Sequence, residues 1–98
     1  LMTDPNCIFC GIVKNERDEI VSLPDIKPVA PGHTLIIPKA HYQWYYEIPD
    51  ELSDKLFRTA KELAKDLKQK YKADYIELKI IGIDVPHTHI HLIPRKIT

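Results

Sequence analysis

The sequence predicts an α+β fold: an antiparallel β-sheet of about four to five strands, one main amphipathic helix and a short N-terminal helix. Three observations carry this reading. Residues 50–71 hold one apolar stripe at helical spacing. Short runs of branched apolar residues lie on both sides of that stripe, at 19–23, 33–38, 75–81 and 87–93. The last two runs are joined at hairpin scale, so the order strands, helix, strands favours an antiparallel sheet over a doubly wound one.

Each element has its own local reason. Cys7 to Val13 (CIFCGIV) is a short helix or turn that packs apolar residues, and a charged loop from Lys14 to Asp18 follows it. Glu19 to Leu23 is a short strand. Pro24, Pro28 and Pro31 then forbid continuous pairing and make an ordered, stiff connection. Gly32 turns the chain into His33–Pro38, a strand rich in branched residues. In the helix, Leu52, Leu56, Ala60, Leu63, Leu67 and Tyr71 recur at three- and four-residue steps. Asp50, Glu51 and Asp54 open it, while Lys68, Lys70 and Lys72 close it, which suits the helix dipole. Tyr75 to Ile81 alternates as a strand does, residues 82–86 turn, and His87 to Ile93 is the final strand, closed by Pro94.

Size and composition bound the possibilities. The 98 residues suffice for a single domain, 1–98, and are too few for two. Fourteen basic residues balance fourteen acidic ones, so no excess of positive charge points to a nucleic-acid partner. The apolar runs are short, so neither a membrane span nor a signal-peptide core is expected. Two cysteines cannot build a disulfide framework, and a reducing cytoplasm is the expected location.

The chemistry concentrates in PHTHIHLIPR, residues 86–95, where three of the five histidines alternate. On a strand, His87, His89 and His91 would share one face, with Thr88, Ile90 and Leu92 on the core side. Their Cα atoms would be roughly 6.6 Å apart, from a rise of ~3.3 Å per residue. Two such imidazoles can chelate an ion, but three on a straight strand converge poorly. A solvated strand face is the plain alternative, although three histidines at period two are more than solubility needs. Imidazole titrates near neutrality, so the cluster can supply a nucleophile, a general acid or an electrostatic clamp. Cys7 and Cys10 leave three readings open: a redox pair, half of a zinc site, or two buried thiols. The βαβ context of a thioredoxin-like motif is missing.

The heptad His87-Thr-His-Ile-His-Leu-Ile93 resembles the histidine triad motif, His-φ-His-φ-His-φ-φ with φ apolar, except at Thr88. Cys7-Ile-Phe-Cys10, the segment Asp25–His33 (DIKPVAPGH) and the segment Thr34–His41 (TLIIPKAH) are similar, in order, to other signature segments of that family. The resemblance covers nearly the whole chain and implies a histidine-triad-like fold. It implies a nucleotide hydrolase or transferase acting at an α-phosphate, with His89 as nucleophile and His91 on the phosphate and scissile oxygen. Ile8, Phe9 and Ile12 would lie near the base, Asp25 and Ile26 near the ribose, and Val85 would complete the nucleotide contacts. Plain core packing remains the alternative for the three apolar residues, and turn chemistry for Asp25. The resemblance further implies a structural Zn2+ held by Cys7, Cys10, His41 and His87, and a homodimer formed by joining sheets.

Other residues are read as supporting. His33 hydrogen-bonds within the Pro31-Gly32 turn or supports the site from behind, and Lys39 is solvated. Tyr42, Trp44, Tyr45 and Tyr46 pack on the helix or form a dimer surface. Two departures stand out. Ile83 and Asp84 occupy positions where the family usually has a glutamine and a phosphate-contacting hydroxyl, and the segment between Cys10 and Asp25 is several residues shorter than usual. A carboxylate beside a phosphate repels it unless it is protonated, turned away or countered by a cation. The expected substrates are nucleoside phosphoramidates, dinucleoside polyphosphates or similar nucleotidyl compounds. The rival readings are a nucleotide-binding regulatory module with little turnover, and a protein whose histidines and cysteines serve zinc alone.

Overall fold

The computed structural model describes residues 3–97. Its elements run α1 (Ile8–Val13), β1 (Ile20–Pro24), β2 (Thr34–Pro38), a 3-10 turn (Tyr45–Glu47), α2 (Asp50–Lys70), β3 (Tyr75–Ile80) and β4 (Ile90–Arg95). The four strands form one sheet in the order β1-β2-β4-β3, antiparallel at every pairing. The α+β class, the main helix and the short N-terminal helix agree with the sequence reading.

The sheet separates two apolar clusters because strand residues alternate between its faces. Ile36, Ile90 and Leu92 project onto one face and pack with Leu56, Ala60 and Leu67 of α2. On the other face Leu35 and Ile37 pack with Phe9, Cys10 and Val13 of α1, and Val21, Leu23 and Val85 join them. Two glycines in the connections take left-handed backbone and close approaches. Gly32 has φ 86°, and a Cβ there would lie 2.6 Å from Cε2 of Tyr71. Gly82 also has φ 86°, and its Cβ would meet the Gln43 carbonyl oxygen at 2.7 Å.

The strand bounds correct the sequence reading in one consequential place. The last strand begins at Ile90, not His87, and continues through Pro94 to Arg95. Residues 87–89 are held outside the ladder: the His87 N–H donates to the Val85 carbonyl at 2.8 Å, and the Thr88 N–H to the Tyr42 carbonyl at 2.6 Å. Pro94 is tolerated because backbone groups alternate sides along a strand. The Arg95 carbonyl accepts from Asp74 on the β3 side, so the missing N–H of Pro94 faces the β2 side, where pairing ends at Leu92. Pro24 likewise closes β1 as its last residue instead of ending it beforehand. No helix among the described residues is long and apolar enough to cross a membrane.

Candidate active site

Exposure decides against the plain alternative for the three histidines. His87 is fully buried and His89 is 5% exposed, so these histidines do not form a wet strand face. They lie beneath α1, where Phe9 meets His89 edge to face at 4.8 Å between ring centroids. Thr88, the residue that departs from the apolar heptad, is buried too, and its Oγ1 donates to the Tyr42 carbonyl at 2.6 Å. A hydroxyl at that position secures the approach to β4, as an apolar side chain could not.

Hydrogen-bond partners set the tautomer of each triad histidine: Nε2–H in His87 and His91, Nδ1–H in His89. His87 Nε2 lies 2.7 Å from the Pro38 carbonyl, which only accepts, so Nε2 carries the proton and Nδ1 is left with its lone pair. That Nδ1 faces Cys7 Sγ and Cys10 Sγ, each at 3.4 Å. His41 Nδ1 lies 3.3 Å from Cys10 Sγ. The donor atoms of Cys7, Cys10, His41 and His87 all fall within 4.8 Å of one another and could hold a metal ion. Burial pushes the His87 imidazole toward its neutral form and the Cys10 thiol upward. Neutral imidazole is the form that ligates, and a bound cation would draw the proton off the thiol.

His89 is arranged the other way round. Its Nδ1 lies 2.7 Å from the His87 carbonyl, so Nδ1 donates and Nε2 keeps a free lone pair. His91 follows on the same side of the sheet, with ring centroids 4.8 Å apart. The Val29 N–H donates to His33 Nδ1 at 3.2 Å, which leaves the His33 proton on Nε2. That proton is donated to His91 Nδ1 at 2.9 Å, so neutral His91 carries its own proton on Nε2. Burial, then the neighbouring His89 and His33, push the His91 pKa down to about 4, and burial also lowers that of His33. Asp25 reinforces the pair: its Oδ2 is 3.4 Å from His33 Nε2 and 4.0 Å from His91 Nδ1, and its Oδ1 accepts from the Lys27 N–H at 2.8 Å. Although Asp25, His33 and His91 also cluster within 4.8 Å, the Val29 donor makes them a hydrogen-bonded chain in place of a metal cage.

His89 and His91 line an open cavity of about 490 Å³, and most of the residues named from the sequence line it with them. Ile8 and Ile12 line it with exposed side chains, Phe9 from its buried position, and Ile26, Asp25 and Val85 complete the wall. Cys7, Cys10, His41 and His87 stand apart as the candidate metal centre. Leu23, Leu35 and Lys27 also line the cavity. The two leucines escaped sequence reasoning because their role depends on strand register. Asp84 sits on the cavity wall, exposed and with no ion pair among the described residues. His33 fills both roles read from sequence: it bonds within its own turn, and its Nε2 supports His91, 58 positions away. Lys39 Nζ donates to the Glu16 carbonyl. Tyr42 packs on the α2 cluster, whereas Trp44 stacks on Tyr46 and lies against Gly82.

The chain is similar to known proteins. Residues 12–98 match the HIT domain family. Over 102 residues the chain is 39% identical to the adenosine 5'-monophosphoramidase HNT1 of Saccharomyces cerevisiae, covering 95% of this chain and 65% of that protein. It is 30% identical to the adenylylsulfatase HINT3 of Arabidopsis thaliana, covering 93% of this chain and 53% of that one. The chain thus spans less than two thirds of the length of both relatives. A Zn-bound histidine triad family protein from Mycobacterium smegmatis superposes with a TM-score of 0.81 at 27% identity, over 94% of this chain and 76% of that structure. By its sequence, its sheet and its paired histidines, the chain belongs to the HIT family.

Proposed function

We propose that this protein hydrolyses, or transfers the nucleoside monophosphate of, a nucleotidyl substrate at its α-phosphate, through a covalent intermediate on His89. The observation that carries this reading is the His89 tautomer. The His87 carbonyl holds the proton on Nδ1, which leaves the Nε2 lone pair free on a ring that lines the cavity. The apolar wall of Ile8, Phe9 and Ile12 suits a base, and the Asp25 carboxylate suits ribose hydroxyls. His91 binds the phosphate through Nε2–H. The anionic phosphate favours a proton on His91, and Asp25 beside it does the same. Attack of His89 Nε2 on phosphorus forms an N–P bond while the bond to the leaving group breaks; the leaving group takes its electron pair and the proton from His91. Water then adds hydroxide to phosphorus, the N–P bond breaks, and the remaining proton returns to His91. The names of the yeast and plant relatives, a monophosphoramidase and an adenylylsulfatase, support chemistry of this class.

Incubation with adenosine 5'-phosphoramidate should release AMP, and mass spectrometry after rapid acid quench should find one adenylyl group on the chain. His89→Ala should remove both signals. Full activity in that variant would overturn the mechanism. The Asp84 carboxylate at the cavity favours a second reading, a nucleotide-binding module with little turnover. Tight AMP binding by calorimetry with no AMP release would select it.

Zinc is the ion that the candidate metal centre suits. Bond lengths near 2.3 Å to sulfur and 2.0–2.1 Å to nitrogen require S···N separations of roughly 3.5 Å in a tetrahedron, and the donors stand at 3.3–3.4 Å. Two thiolates and two imidazoles close the coordination shell, so the ion would be structural, tying α1 to the segment before β4. The reading includes a cytoplasmic homodimer. β3 lies at one edge of the sheet with Tyr75 and Leu78 exposed, which suits pairing with a second copy, and light scattering tests it.

A further inference from the structure

Strand register places one residue from every strand in a single row, of which Leu23, Leu35 and His91 line the cavity and Lys79 stands beyond it. Leu23 of β1 stands opposite Leu35 of β2, Leu35 opposite His91 of β4, and His91 opposite Lys79 of β3. Directly paired residues project from the same face, and neighbouring strands are ~4.8 Å apart. The row therefore has a direction. Its apolar end lies under α1, where Leu23 and Leu35 line the cavity with Ile8 and Phe9. His91 comes next, and Lys79 stands one strand beyond it, away from the apolar end.

Lys79 is half-buried, and its ammonium makes no ion pair or hydrogen bond among the described residues. Its charge reaches the site, since it disfavours the protonated forms of both His33 and His91. Glu77, the nearby carboxylate on its own strand and face, is engaged by Arg95 at 2.9 Å. A lysine side chain is a flexible stem with a point charge at its end, suited to anionic oxygen. On the nucleotidyl reading, a nucleotide with its base at the apolar end and its α-phosphate at His91 would direct its leaving group toward Lys79.

We propose that Lys79 is a specificity-determining residue that binds an anionic leaving group, a phosphate chain or a sulfate, and so favours such substrates over those that release an uncharged amine. The inference rests on the nucleotidyl reading above and deepens it by naming the leaving-group side of the site. An anion attached to the α-phosphate meets the ammonium as it takes up charge, whereas an amine gains nothing there.

The test compares kcat/KM for diadenosine triphosphate, adenylyl sulfate and adenosine 5'-phosphoramidate in wild type, Lys79→Gln and Lys79→Arg. Lys79→Gln should lower the ratio of each anionic-leaving-group substrate to the phosphoramidate at least ten-fold, and Lys79→Arg should restore most of it. A loss confined to diadenosine triphosphate assigns a phosphate chain, and one confined to adenylyl sulfate assigns a sulfate. Because each ratio is internal to one variant, partial unfolding cancels. A ratio unchanged by Lys79→Gln overturns the proposal. A binding arm keeps it separate from the catalytic reading, with the β-phosphate of ADP standing in for the anionic leaving group. Wild type should bind ADP more tightly than AMP, and Lys79→Gln should erase the difference. If wild type turns over no substrate, the hydrolase reading fails, and the ADP-to-AMP affinity ratio still decides Lys79: an equal ratio in wild type and variant overturns it.

Discussion

At the scale of single residues, three chemically identical histidines are oriented differently by the carbonyl or amide each one meets. Pro38 turns the His87 lone pair toward two thiols, His87 itself turns the His89 lone pair toward the cavity, and Val29 through His33 sets the His91 proton on Nε2. His91 also carries a stability cost in acid. Its folded pKa of about 4 lies below the ordinary 6.5, so the unfolded chain binds a proton that the native chain refuses. The stabilisation is complete above pH 6.5 and is lost as pH falls toward about 4. Chemical denaturation of wild type and His91→Gln should therefore give a stability difference that shifts against wild type between pH 7 and pH 4.5. A difference independent of pH would contradict the cause assigned here. Asp84 is exposed on the cavity wall, where one like charge near a phosphate costs about 1 kcal/mol in water. Asp84→Asn should raise kcat/KM about two- to five-fold. It should do so equally for all three adenylyl substrates, because they share the α-phosphate; this separates it from Lys79.

At the scale of elements, α2 shows how much local pattern can specify. Its stripe, acidic start and basic end were all legible, and the helix runs Asp50–Lys70 with Leu56, Ala60 and Leu67 buried. Its stop is less obvious. The Ala73 N–H donates to the Lys68 carbonyl at 3.0 Å, closing a Schellman-type turn around Lys72, which has φ 51°. A side chain in that region costs roughly 1–2 kcal/mol, partly offset in glycine by chain entropy. Lys72→Gly should thus raise stability by roughly 0.5–1 kcal/mol, read as a higher denaturation midpoint with an unchanged slope. β4 is the counter-example. The alternation from His87 reads as one strand, yet the ladder begins at Ile90, because the Tyr42 carbonyl, 46 positions away, captures the backbone and hydroxyl of Thr88. No local pattern carries that competitor.

At the scale of the whole molecule, the four metal-type donors come from three separate segments of the chain. α1, the segment after β2 and the approach to β4 meet at Cys7, Cys10, His41 and His87. If zinc is seated there, metal analysis should find one ion per chain in wild type and in His89→Ala, and none in Cys7→Ala. Chelation should lower the melting temperature by roughly 10 °C or more, as expected when a few kcal/mol leave a domain of this size. Equal zinc content in all three proteins would remove the staple from this account.

The sequence by itself determined the family, the α+β class, the long helix and most of the residues that meet at the cavity, because these follow from period, residue chemistry and ordered motifs read along the chain. Tertiary structure alone decided which nitrogen each histidine offers, that His33 supports His91, and that Leu23, Leu35, His91 and Lys79 form one row. Those facts depend on strand register and on hydrogen-bond partners tens of residues apart. Register is set by the packing of two sheet faces against two helices at once, a condition that no single stretch of the chain contains.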